Sequence, residues 1–127
     1  KKMGMGDVKG KVLPKVSLLS KSVNNNSIVS RYFTPYSCHE THAVTGTCCV
    51  ASSCLIPGTV GFRLLNKKDS LNCNTETIKI EHPMGFIDCI IVLNSNFKNN
   101  LVSKKDLVKS CGIYRTSRIL MKGQVYF

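Results

Sequence analysis

The chain has 127 residues, of which 43% are hydrophobic and 20% charged, and it carries a formal net charge of +11. This is enough chain for one core and too little for two, and too apolar for a disordered segment. The longest strictly apolar run, Ile90 to Leu93, is far short of the roughly 18 residues of a membrane span.

Lys1 and Lys2 are followed by Met3-Gly4-Met5-Gly6-Asp7, with no apolar block of the secretory type, so the expectation is a cytoplasmic protein. Lys1 to Pro14 is rich in Gly and Lys and reads as a loop. Lys15 to Leu19 is a short strand with a polar connection beyond it at Asn24-Asn25-Asn26-Ser27. Ile28 to Phe33 reads as one or two helical turns, stopped by Pro35 because the residue before proline is pushed out of the α region. A polar loop follows from Tyr36 to His42.

The next run carries the most information. Thr45-Gly46-Thr47 opens Cys48-Cys49-Val50-Ala51-Ser52-Ser53-Cys54-Leu55-Ile56, which ends at Pro57-Gly58. Nothing in it is charged, and its side chains are small or apolar all round. Such a helix has no polar stripe to show to water and is expected to be enclosed by other elements. A strand is disfavoured, because Ala, Ser and Cys are weak strand formers. Thr45 or Thr47 is the expected cap and Pro57-Gly58 the stop.

Beyond Gly58 the period changes to two. Val60 to Leu65 reads as a strand. Ile78 and Ile80 alternate with Lys79 and Glu81 in a half-buried strand, His82-Pro83-Met84-Gly85 turns, and Phe86 to Leu93 completes a hairpin. After a loop at Asn94 to Asn100 and a turn or strand entry near Lys104 to Val108, Ile113 to Leu120 and Gln124 to Phe127 read as strands around a turn at Met121-Lys122-Gly123. Arg115 and Arg118 then fall on opposite faces, so that one can meet an anionic ligand. The fold class is α+β: a mixed sheet around a buried central helix at about 46–56.

The cationic residues are spread out, and the densest pieces are the pairs Lys1-Lys2, Lys67-Lys68 and Lys104-Lys105. Aromatics do not interleave with them, so a stacking platform for nucleic acid is poorly supported. The seven cysteines, Cys38, Cys48, Cys49, Cys54, Cys73, Cys89 and Cys111, form no CxxC pair and read mostly as reduced core residues. A reactive thiol is best placed at Cys38 or Cys48, near His39 and His42. A zinc site from Cys38, His39 and His42 fails on spacing and on the lack of a fourth ligand, so no metal is expected.

The start of an enclosed helix is a natural anion site, since unpaired backbone N–H groups and the helix dipole both point at it. Gly46 allows close approach to the backbone, Thr45 and Thr47 add hydroxyls, and His39 and His42 stand just upstream as acid or base candidates.

Several segments together resemble a known family. They are Met-Gly near the start, Pro14-Lys15-Val16, His39 followed by Ala43-Val44-Thr45-Gly46-Thr47, Ile56-Pro57-Gly58-Thr59, His82-Pro83-Met84-Gly85, Arg115-Thr116-Ser117-Arg118 and Leu120 to Tyr126. In this order they resemble the C-terminal part of the PrpF family, the 2-methylaconitate cis-trans isomerases, with 4-oxalomesaconate tautomerases and methylitaconate isomerases among its members. The resemblance implies a diaminopimelate-epimerase-like fold, in which two similar domains each wrap a mixed sheet around a helix and both helices aim their N-termini at the substrate.

The implied chemistry is cofactor-free: a proton leaves the carbon beside a carboxylate and returns elsewhere, and preorganised donors stabilise the anion between. By the resemblance, residues 1–127 form a single partial domain, the substrate-anchoring C-terminal one, and the proton-moving groups belong to an N-terminal domain outside this chain. Thr45 stands where the related epimerases carry a cysteine, leaving Thr45 and Cys48 as weak catalytic candidates. The substrate-binding candidates are His39, Thr45, Gly46, Thr47, His82 and Arg115, and the expected ligand is a tricarboxylate. Met84 replaces the family's serine in His-Pro-Ser-Gly, and Pro35 breaks the helix usual before His39. The alternative is an inactive fragment or degenerate paralogue that at most binds or self-associates through sheet edges into a homo-oligomer.

Overall fold

Alternation along the strands, with Ile and Cys on one side and charged or polar residues on the other, builds a sheet with one dry face. The computed structural model describes residues 2–66, 74–94 and 106–127. Within them the order is β1 (Val16–Lys21), β2 (Ser27–Thr34), β3 (Ser37–Cys38), α1 (Val44–Ser53), α2 (Val60–Leu65), β4 (Thr75–His82), β5 (Gly85–Leu93) and β6 (Val108–Ile113). The pairs Lys67-Lys68 and Lys104-Lys105, Cys73 and most of the 94–100 loop lie outside the described residues.

The strands form one six-stranded sheet ordered β1-β2-β4-β5-β6, with the two-residue β3 paired to β2. It is mixed: β2 and β4 run parallel, and the other neighbours are antiparallel. The parallel seam joins Ser27 to Lys79, Ile28 to Ile80 and Val29 to Glu81. It is clamped at one end by Glu81, whose Oε1 accepts from Ser22 Oγ at 2.7 Å and from Asn24 Nδ2 at 2.9 Å. These bonds, Asn24's first, hold the Glu81 carboxyl below its usual range.

The register puts Ile28, Ile78, Ile80, Cys89, Ile91 and Leu93 on the face that meets α1, where Val50, Ala51, Cys54 and Leu55 complete the core with Leu107. Each fully buried Ile or Leu stabilises the fold by about 1.5–3 kcal/mol through removal from water. The opposite face carries Arg31, Lys79, Glu81 and Asp88. Lys79 and Asp88, opposite one another, pair at 3.6 Å, and the Lys79 ammonium also lies 3.4 Å from the Phe86 ring centroid.

The helix expected at about 46–56 is present as α1 but begins earlier, ends earlier with Cys54 as its C-cap and not at Pro57-Gly58, and is covered on one side only. Thr47, Val50 and Ala51 are buried, whereas Thr45 and Cys49 are exposed and Val44 is 50% exposed. A single sheet has one face to offer, so the far stripe of α1 stays open among the described residues. The start of α1 also differs from expectation. The N-cap is Ala43, with no side-chain cap, and Thr45 and Thr47 lie inside the first turn.

Three other expectations are corrected. Ile28 to Phe33 is strand, not helix: Ile28, Ser30 and Tyr32 alternate inward while Arg31 points out. Val60 to Leu65 is helix, not strand. Thr59 caps it by accepting from the Phe62 N–H at 3.2 Å, and its one hydroxyl proton is shared between the Ile56 carbonyl, at 2.9 Å, and that of Ser53. Gly61 is required there, because a Cβ would stand 3.0 Å from the Cys54 nitrogen. Finally, the last strand is Val108–Ile113, and residues 114–127 have no regular structure, so Arg115 and Arg118 do not sit on faces of a strand. The β4–β5 hairpin and its turn at Pro83-Met84 stand as read. No helix among the described residues is long and apolar enough to cross a membrane.

Candidate functional site

The first turn of α1 is built on a buried polar network. The Thr47 N–H closes the first helical bond onto the Ala43 carbonyl at 2.8 Å, and its hydroxyl donates to the same oxygen at 2.9 Å. That commits the hydroxyl proton, so His42 Nδ1, 3.1 Å away, is the donor to Thr47 Oγ1. His42 Nε2 is then the acceptor for Ser30 Oγ at 3.0 Å. The imidazole lies under the Tyr32 ring, with centroids 4.6 Å apart. Burial lowers the His42 pKa, and the nearby His82 and His39 act in the same direction. A neutral ring with both nitrogens engaged holds the helix start in place. It is not a free base.

Beside this network a groove of about 340 Å³ runs along the flank of α1, lined by Lys15, Tyr32, Thr45, Gly46, Cys49 and Ser53 among others. Lys15 brings a cation to its lining and Thr45 a hydroxyl, groups of the kind that can hold a carboxylate. Gly46 serves a different end from the one read in the sequence. A Cβ at that position would lie 2.7 Å from Tyr32 Cε2 and 3.2 Å from His42 Cε1, so the missing side chain makes room for Tyr32.

The residues singled out from the sequence divide among several places. Thr45 and Gly46 share the groove, and Thr47 is buried beneath it. His39 is half-buried beside Tyr32, with its ring edge-on at 6.2 Å, and its Nδ1 accepts from the Thr41 N–H at 3.1 Å. His82 lies in a second cavity of about 610 Å³ with Arg31, Lys79 and Glu81. Its Nδ1 accepts from the Met84 N–H at 3.2 Å, and burial, then the nearby Arg31 and His39, lower its pKa. Arg115 lies in a third cavity with Phe86, Asp88 and Tyr114. Cys48 turns away from the groove toward Cys89 and Cys111, and burial raises its pKa. The cysteine on the groove wall is Cys49, four positions and about one turn beyond Thr45.

Sequence reasoning missed Lys15, Tyr32, Ser30 and Cys49. Lys15 stands one residue before β1 and keeps the parity of Ser17 and Leu19, and that alternation was the signal that could have placed it. The i, i+4 spacing of Thr45 and Cys49 was the corresponding helical signal.

The order of segments noted in the sequence now meets an independent comparison: residues 7–127 match the PrpF protein family. The chain belongs to that family. It is 35% identical over 126 residues to "Putative isomerase YbhH" of Escherichia coli (strain K12), covering 99% of this chain and 32% of that protein. It is 32% identical over 124 residues to the 4-oxalomesaconate tautomerase of Pseudomonas putida, covering 98% of this chain and 31% of the tautomerase. The crystal structure of a methylitaconate-delta-isomerase superposes with a TM-score of 0.53 at 25% identity, over 84% of this chain and 29% of that one. This PrpF-family chain thus spans about a third of the length of the curated relatives it matches.

Proposed function

We propose that this chain is the substrate-anchoring part of a cofactor-free isomerase or tautomerase that moves a proton beside a carboxylate in an unsaturated tricarboxylate of the methylaconitate class. The observation that carries the reading is the groove along α1, where Thr45 and Lys15 share one lining next to a helix start that has no side-chain cap. The names of the relatives, a tautomerase and isomerases of unsaturated carboxylates, support the same chemistry.

In this reading a substrate carboxylate sits on the first-turn amides of α1, with Lys15 balancing its charge. As the proton leaves the adjacent carbon, negative charge spreads into that carboxylate, and fixed N–H dipoles stabilise it without reorganising. Thr45 binds and does not transfer protons, since a hydroxyl is a poor acid or base near neutral pH. Cys48, turned into the core, takes no part. The proton-moving groups come from a further domain, and the open stripe of Val44, Thr45 and Cys49 faces it. A cytoplasmic setting, where thiols stay reduced, fits the cysteine content.

The test pairs a binding titration of aconitate-type tricarboxylates with proton–deuterium exchange into them, for the chain alone and with the N-terminal portion of a family member added. Binding by the chain alone, with exchange only after complementation, is the expected result. Exchange by the chain alone overturns the anchoring role, and lack of any binding overturns the site.

A further inference from the structure

Away from the groove, three sulfur atoms meet. Cys48 of α1, Cys89 of β5 and Cys111 of β6 place their Sγ atoms within 4.8 Å of one another, and the Cys89 and Cys111 sulfurs are 3.3 Å apart. The sheet register explains the meeting. Cys89 is paired with Ile113 and Cys111 with Ile91, so the two strand cysteines sit diagonally on the helix-facing side, and Cys48 reaches them from α1. Cys89 is fully buried and the other two are half-buried, so the cluster is sheltered but reachable.

We propose that Cys48, Cys89 and Cys111 form a trigonal thiolate site for a soft, thiophilic monovalent cation, copper(I) being the chemical class that fits. The donor set is sulfur alone, which disfavours magnesium and calcium and favours soft ions. Structural zinc takes four protein ligands, and among the described residues the cluster offers three. At metal–sulfur bonds of about 2.3 Å, a planar trigonal site needs sulfurs about 4 Å apart, inside the range the cluster already spans. The diagonal placement does not give the strand cysteines the directly opposed arrangement of a cross-strand pair, so a shared ion suits them better than a covalent bridge. Binding by the three thiols releases one proton from each: three S–H bonds break, three Cu–S bonds form, three protons go to solvent, and copper keeps its oxidation state.

The test adds copper(I), as its acetonitrile complex under anaerobic conditions, to the whole reduced chain, with zinc(II) in parallel. Thiols that lose alkylation on adding metal are mapped by mass spectrometry. The expected result is one copper per chain, new protection of Cys48, Cys89 and Cys111, and continued labelling of Cys38. Cys111→Ser should weaken retention against a chelator by more than about 100-fold, beyond the cost of losing an outer-shell contact, while Cys38→Ser leaves it unchanged. Protection of a different set of cysteines, copper retention surviving Cys111→Ser, or tighter holding of zinc(II) than of copper(I) would overturn the proposal. The protection pattern is read on the unmodified chain, so it stands even if a variant folds poorly.

Discussion

The Tyr32 ring occupies the space that a side chain at Gly46 would need, with Cε2 only 2.7 Å from the position of a Cβ. The close approach ties the start of α1 to the middle of β2. It also separates two reasons for a glycine at this site, ligand access and packing, in favour of packing.

Gly46→Ala should therefore destabilise the fold. Overpacking a filled site costs about 1–3 kcal/mol, while alanine returns about 1 kcal/mol of helix propensity. A net loss of up to ~2 kcal/mol is expected in denaturant unfolding, shrinking when Tyr32→Leu removes the ring. An unchanged midpoint for Gly46→Ala would show that Tyr32 moves aside freely.

Stability should fall on the acid side of neutrality. His42 and His82 have pKa values below the ordinary histidine value, burial being the first cause for each. The unfolded chain therefore binds protons that the folded chain refuses. The contribution is complete above about pH 6.5 and is lost as pH falls through the lower folded values. Urea midpoints at about pH 7.5 and about pH 5 check this, and His42→Gln should flatten the dependence more than His82→Gln, given that His42 is the more buried.

Thr59→Ala should cost about 1–2 kcal/mol, the upper part of the range for a lost N-cap. The hydroxyl accepts from the Phe62 N–H and shares its one proton between the Ile56 and Ser53 carbonyls, tying α2 to the end of α1. Thermal unfolding measures it, with Thr59→Ser expected to recover most of the loss.

Lys15→Ala should weaken tricarboxylate binding by about 2- to 5-fold, the worth of ~0.5–1 kcal/mol for a solvent-screened charge contact. The difference between the two proteins should narrow as salt is raised. Isothermal titration at low and high ionic strength reads both effects. Equal affinities at low salt would remove Lys15 from the site.

Much of this architecture is legible in the residues, for reasons that differ by element. The uncharged run through Val50, Ala51 and Cys54 marks α1 because small side chains let a helix lie close to a sheet. Ile78 and Ile80 against Lys79 and Glu81 mark β4 through simple alternation. β2 is harder, since its inward face carries Ser30 and Tyr32, polar groups that belong there only because His42 and Gly46 arrive from later in the chain. α2 is misleading because Val60 and Phe62 favour strands, while Thr59 and the close packing at Gly61 decide for helix. The groove is half legible: Thr45 and Gly46 announce a helix start, but Lys15 joins them only through the β1–β2 pairing and the crossing of α1. The sulfur cluster depends on the β5–β6 register and leaves no local pattern at all.

The parallel seam between β2 and β4 has a bearing on how the molecule assembles. β1 with β2, and β4 with β5 and β6, are hairpins that find their partners nearby in the chain. The three residue pairs of the seam bridge the entire helical stretch between them, so their loop-closure entropy is offset only after α1 and α2 have docked. Ser27 to Val29 thus form the suture between two self-templating halves, and amide exchange along it times their joining.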